Sequence, residues 1–118
     1  MTEDGLYGIG ERIFNLQRAV LSREGHVGRA FDRVPDSSYS VPLKTERLNP
    51  NCLFPGKDGD VISRKGALLD RDKFQEMLGE LYELRGWDRE TGFQRKEKLE
   101  ELGLADVAQD LRARDLLA

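Results

Sequence analysis

The sequence holds one cysteine and one histidine in 118 residues. A single thiol closes no internal disulfide, so nothing in it points to secretion. Metal sites need several soft or borderline ligands at close spacing, and no second cysteine exists to supply them. Long apolar runs are also missing: none approaches the roughly 18 residues of a spanning helix, so no membrane span is expected. Met1-Thr2-Glu3-Asp4-Gly5 puts acids where a secretory signal carries bases, and no apolar stretch follows. A cytoplasmic location is the expectation. Basic tracts are absent too. The net charge is −3, and residues 70–118 hold 13 acids against 9 bases. With the aromatics scattered rather than interleaved with Arg or Lys, no nucleic-acid partner is expected.

What is present is one domain's worth of chain. Hydrophobic residues make up 38% and charged residues 35%, which allows a thin core inside a heavily charged shell. The spacing predicts a helix over about 6–24, with Leu6, Ile9, Ile13, Leu16 and Val20 on one stripe and Gly25 as its left-handed stop. Gly8 and Gly10 inside it each cost about 1 kcal/mol against alanine, a sign of fraying or of another backbone approaching closely. All four prolines lie in residues 26–69, which reads as a long extended arm draped over another surface. Within it Lys57-Asp58-Gly59-Asp60 marks a turn and Val61-Ile62-Ser63 one short strand. A second amphipathic helix is predicted over about 71–85, capped by Asp70 and ended by Gly86. A helical pair follows over about 95–117, with Gly103 and Leu104 forming the stop between its members. The chain is therefore expected to be a single all-α domain of about four helices with a long Pro/Gly-containing arm.

The residues that attract chemistry fall short of it. Cys52 stands alone, and His26 is far along the chain from it, so a nucleophilic pair is not expected. Asp58-Gly59-Asp60 lacks the twelfth-position Glu of a calcium loop. Gly8-Ile9-Gly10-Glu11 lacks the third glycine and the preceding strand of a phosphate-cradling loop. Glu76–Glu80 and Glu97–Glu101 are carboxylates four apart on exposed helix faces, with no cleft to separate their pKa values. No catalytic, cofactor-binding or metal-ligating residue is assigned. The candidates that remain are packing or interface residues on the first helix: Ile9, Ile13, Leu16 and Val20, with Arg12, Arg18 and Arg23 placed to meet carboxylates or phosphates.

Two stretches carry a resemblance. Gly10-Glu11-Arg12-Ile13-Phe14-Asn15-Leu16-Gln17-Arg18-Ala19, followed by Arg23-Glu24-Gly25, resembles a helix of the aldehyde ferredoxin oxidoreductase family. Tyr82-Glu83-Leu84-Arg85-Gly86-Trp87-Asp88, with Lys96-Glu97-Lys98-Leu99-Glu100-Glu101-Leu102-Gly103-Leu104, resembles that family's C-terminal ending. The resemblance implies the terminal part of the last helical domain of a tungsten or molybdenum enzyme. Such enzymes oxidise aldehydes, or in one branch reduce an aromatic thioester, and exchange electrons with ferredoxin or partner subunits. It also implies a tungsten bis-pterin and a four-iron iron–sulfur cluster whose ligands lie upstream of the matched region, since Cys52 fits neither of the family's cysteine patterns.

The implied role is structural, with the remainder of the oxidoreductase polypeptide or a partner subunit as partner and no activity in isolation. The alternative is a stand-alone α-helical interaction module descended from that domain. Three departures from the family stand out. Residues 28–35 only loosely echo its Arg/Asp/Pro run, Leu48 to Gly66 form a longer insertion, and Phe93-Gln94-Arg95 replaces a proline and a threonine cap. These leave the substrate branch open.

Overall fold

The first helix starts earlier than the apolar stripe requires. In the computed structural model, which describes residues 1–118, α1 spans Glu3–Arg23. Thr2 caps it, its Oγ1 accepting from the Gly5 N–H at 3.1 Å. Glu3 and Asp4 sit at the positive end of the helix dipole. Cap and charge together hold a glycine-bearing first turn helical. The helix stops where expected: Gly25 has φ +97°, and the His26 N–H returns to the Leu21 carbonyl at 2.9 Å.

The chain divides into two units, residues 1–33 with 76–118, and residues 34–75. The first unit contains α1, most of α3 (Arg71–Leu84), α4 (Lys96–Glu101) and α5 (Ala105–Ala113). After α3, Gly86 takes φ +69° and the Trp87 N–H bonds the Tyr82 carbonyl at 2.8 Å. The α4–α5 stop repeats this geometry, with Leu104 N–H on the Leu99 carbonyl at 2.8 Å. That turn brings Leu99 and Leu104 into one apolar core with Ala19, Ala108 and Leu111. Arg95, at the N-cap position, gives α4 no side-chain cap.

The last helix is shorter than predicted. Residues 114–118 leave the helix because Asp115 takes φ +57°, and the Leu116 N–H closes back on Leu111. Leu117 then pairs with Gln94, which also pairs with Trp87. No helix of the protein is long and apolar enough to cross a membrane.

The second unit overturns the all-α expectation. It contains a short helix, α2 (Ser37–Ser40), and a two-stranded antiparallel sheet, β1 (Leu53–Pro55) against β2 (Val61–Ser63). With five helices and this sheet the architecture is mixed α/β. The strand at Val61-Ile62-Ser63 has a partner that the prolines of the arm concealed. Pro55 closes β1 opposite Val61, and a proline at the end of a two-stranded ribbon breaks no interior ladder. The intervening turn is held by the Gly56 N–H on the Asp60 carbonyl at 2.6 Å, with Asp58 and Gly59 in the left-handed region. Cys52, fully buried, precedes β1, and its carbonyl accepts from the Arg64 N–H at 2.7 Å.

Candidate functional site

α1 presents two opposed faces, and the packed one is polar. Asn15, Arg18, Ala19 and Ser22 are its buried residues. Leu6, Ile9, Ile13, Leu16 and Val20 remain 44–60% exposed on the other side. Four of the candidate residues, Ile9, Ile13, Leu16 and Val20, therefore form an outward stripe that nothing in the chain covers. Of the three arginines, Arg12 donates through Nε to the Leu102 carbonyl at 3.1 Å. Arg23 Nε lies 3.4 Å from Asp110 Oδ2 with both side chains substantially exposed, a pair worth little in water. Only Arg18 is buried.

Arg18 is built into a network that the sequence spacing did not reveal. Its two terminal nitrogens donate to Asp32 Oδ1 and Oδ2 at 2.7 and 2.6 Å. One of them also donates to the Gly92 carbonyl at 3.0 Å. The guanidinium plane lies 4.8 Å from the Trp87 ring centre, and Phe14 stacks on Trp87 with ring centres 5.7 Å apart. Asp32 accepts further bonds from the Tyr82 hydroxyl and from His26 Nε2, the latter at 2.9 Å. Because a carboxylate only accepts, Nε2 of His26 carries the proton.

Burial by itself would raise the Asp32 pKa. The bonds from Arg18, Tyr82 and His26 outweigh burial and lower it from 3.8 to about 2. Burial and the neighbouring Asp32 charge push the Tyr82 hydroxyl above its ordinary value of 10.0. Both groups are locked in one protonation state across the physiological range.

A second layer is neutral. Trp87 Nε1 donates to Asn15 Oδ1 at 2.8 Å, and Gln94 Nε2 donates to the same oxygen at 2.8 Å and to the Asn15 carbonyl at 2.9 Å. Asn15 Nδ2 closes the layer on the Glu11 carbonyl at 3.0 Å. Gln94 Oε1 is the one buried side-chain polar atom without a partner. At the far edge Lys98 Nζ lies 3.0 Å from Glu11 Oε1, tying α4 to α1.

Chemically this network positions helices. The Asp32 carboxylate is fully engaged, and the Tyr82 hydroxyl is spent on it, so neither presents an open group to a substrate. Their combined effect is to fix α1 against the 82–94 segment through its polar side, leaving the apolar side outward.

The donor set does not fit the cofactors that the resemblance implies. A four-iron cluster is held by several thiolates, and this chain offers one, buried beside β1. No three His, Cys, Asp or Glu side chains converge on a point that could hold a metal ion. Sequence reasoning missed Asp32, Tyr82, Trp87, Asn15 and Gln94 as a working set. The only signal for them was that Tyr82, Trp87 and Asn15 lie in the two family-like stretches. Residues 1–104 match the family model described as aldehyde ferredoxin oxidoreductase, domains 2 & 3.

Proposed function

The chain belongs to the aldehyde ferredoxin oxidoreductase family, and on that premise we propose that it is the C-terminal structural portion of such an oxidoreductase. The enzyme would be cytoplasmic and act on aldehydes or oxo groups, exchanging electrons with ferredoxin. Its tungsten bis-pterin and four-iron cluster would be held entirely by polypeptide outside these residues.

One observation carries the reading: α1 buries Asn15, Arg18 and Ser22 and turns Leu6, Ile9, Ile13, Leu16 and Val20 outward. A helix with its polar side braced and its apolar side bare is half of a larger core. The other half is the remainder of the oxidoreductase or a partner subunit.

Co-expression tests this. The chain alone is expected to take up neither tungsten nor iron and to oxidise no aldehyde. Supplied with a second polypeptide carrying the family's cofactor-binding domains, it should co-purify and raise aldehyde oxidation. Ile13→Glu combined with Leu16→Glu should abolish co-purification while leaving the chain folded. Metal or activity on the chain alone would sink the proposal. The alternative, a stand-alone interaction module, draws on the core that Leu99, Leu104 and Leu111 close within the first unit. It predicts no gain in activity on adding those domains.

A further inference from the structure

The outward face of α1 has an order beyond being apolar. Leu6, Ile13 and Val20 recur every seven residues, and Ile9, Leu16 and Arg23 interleave with them at the same period. These are the a and d positions of a coiled-coil seam running the length of a helix about 30 Å long. All five apolar members are exposed, and so is Arg23. The positions flanking the seam on its open side are Glu3, Gly10 and Gln17, so along the middle of the helix no charge or bulk stands against a neighbouring helix and the one charge lies at the N-terminal end. A Cβ at Gly10 would meet nothing within 4 Å, so the backbone there is open to close approach. The helix runs unbroken through Gly8 and Gly10, which removes fraying as the reason for those glycines.

We propose that, in the absence of the rest of the enzyme, a second copy of this chain occupies the seam, with the two α1 helices antiparallel about a twofold axis. Charge selects that direction. A parallel pair would set Arg23 against Arg23 inside the seam and bring the two Glu3-Asp4 ends together. An antiparallel pair layers Ile13 on Leu16, Ile9 on Val20 and Leu6 on the aliphatic stem of Arg23, whose guanidinium, held within the chain only by the exposed 3.4 Å pair with Asp110, then reaches Glu3 of the other copy. The packed polar face of α1 lies on the opposite side, so the brace formed by Arg18 and Asp32 is undisturbed. A single-helix seam of this kind belongs to the small, weak end of specific interfaces, below about 1,200 Å² in total, so the dimer is proposed as a weak one that forms in the micromolar range. This goes beyond the proposed function, because it concerns the chain by itself and requires nothing of the cofactor-bearing domains.

Sedimentation equilibrium on the full chain tests it. The apparent mass should rise from 13.4 kDa to twice that value between low and high micromolar concentration. Ile13→Glu should remain monomeric throughout with an unchanged helical circular dichroism signal. Direction is read by oxidation: an equimolar mixture of Ile13→Cys and Leu16→Cys chains should cross-link faster than either variant alone. The wild type, with Cys52 fully buried, serves as the blank.

A chain that stays monomeric to about 100 µM overturns the proposal, as does a dimer that survives Ile13→Glu. Faster cross-linking of Ile13→Cys with itself overturns the antiparallel arrangement. None of these outcomes bears on whether the chain co-purifies with the cofactor-bearing domains, so the two readings fail separately.

Discussion

Asp32 accepts both terminal nitrogens of Arg18 at 2.7 and 2.6 Å, with the two side chains only 15% and 7% exposed. This two-pronged pair joins the middle of α1 to the loop after it. The guanidinium continues to the Gly92 carbonyl, and the carboxylate to Tyr82 and His26. Breaking one side strands a buried charge, which costs more than the pair itself contributes.

Asp32→Asn should therefore lower the stability of the chain by about 3 kcal/mol, the cost of leaving Arg18 uncompensated. Urea denaturation followed by tryptophan fluorescence checks this, since Trp87 lies against Arg18. A loss below about 0.5 kcal/mol would place the pair among inconsequential surface bridges.

The same carboxylate gives the protein an acid limb. Its folded pKa, about 2, lies below its ordinary 3.8. The stabilisation is therefore present above pH 4 and is lost as pH falls through 2, amounting to about 2 kcal/mol. Tyr82 has the opposite sign. Its folded pKa is raised above 10.0, so its contribution is full below pH 10 and is lost as pH rises toward the folded value. Thermal melts from pH 2 to 11 should show both limbs. Asp32→Asn should flatten the acid one, and Tyr82→Phe the alkaline one.

Asn15→Leu should cost about 2–3 kcal/mol, because it leaves the Trp87 N–H buried without an acceptor and takes from the Gln94 amide one of its two, the Asn15 carbonyl remaining. Gln94→Met should cost less, about 1 kcal/mol, since Gln94 Oε1 already lacks a partner and Asn15 keeps its bond from Trp87. Equal losses at the two positions would show that Gln94 Oε1 is bonded in solution.

Two glycines should respond in opposite directions to alanine. At Gly28, φ is +62° and a Cβ would stand 2.4 Å from the Thr91 carbonyl oxygen. The Arg29 N–H bonds that same oxygen at 2.7 Å, so it cannot retreat without breaking a bond. Gly28→Ala should destabilise by at least about 2 kcal/mol. At Gly8 a Cβ meets nothing within 4 Å, and Gly8→Ala should stabilise the helix by about 0.5–1 kcal/mol. Chemical denaturation of both variants against the wild type decides it.

Much of the helical part was legible because its signals are local. The Asp70 cap, observed as its Oδ1 accepting from the Lys73 N–H at 3.0 Å, needs only neighbouring residues to be recognised. The stops at Gly25, Gly86 and Gly103 are equally local. Strand Val61–Ser63 was legible for the same reason, as it follows a recognisable turn. Its partner Leu53–Pro55 was not, because a terminal proline and three exposed residues carry no period. The Arg18–Asp32–Tyr82 brace was invisible for a different reason. It joins residues 14 and 50 positions apart, and no spacing rule links them.

The sequence by itself determined where the four longer helices form, that Gly25, Gly86 and Gly103 stop the first three of them, and that an apolar stripe of heptad spacing runs along α1. These follow from backbone conformational preferences and from side-chain order along a single element. Only the tertiary structure decided which side of α1 faces inward. The stripe looks like the buried side by hydropathy, yet within this chain Arg18, Asn15 and Ser22 take that place. Their bonds to Asp32, Gly92, Trp87 and Gln94 are formed by residues distant in sequence, and no spacing along α1 could show that these partners outcompete the apolar stripe for the inward position.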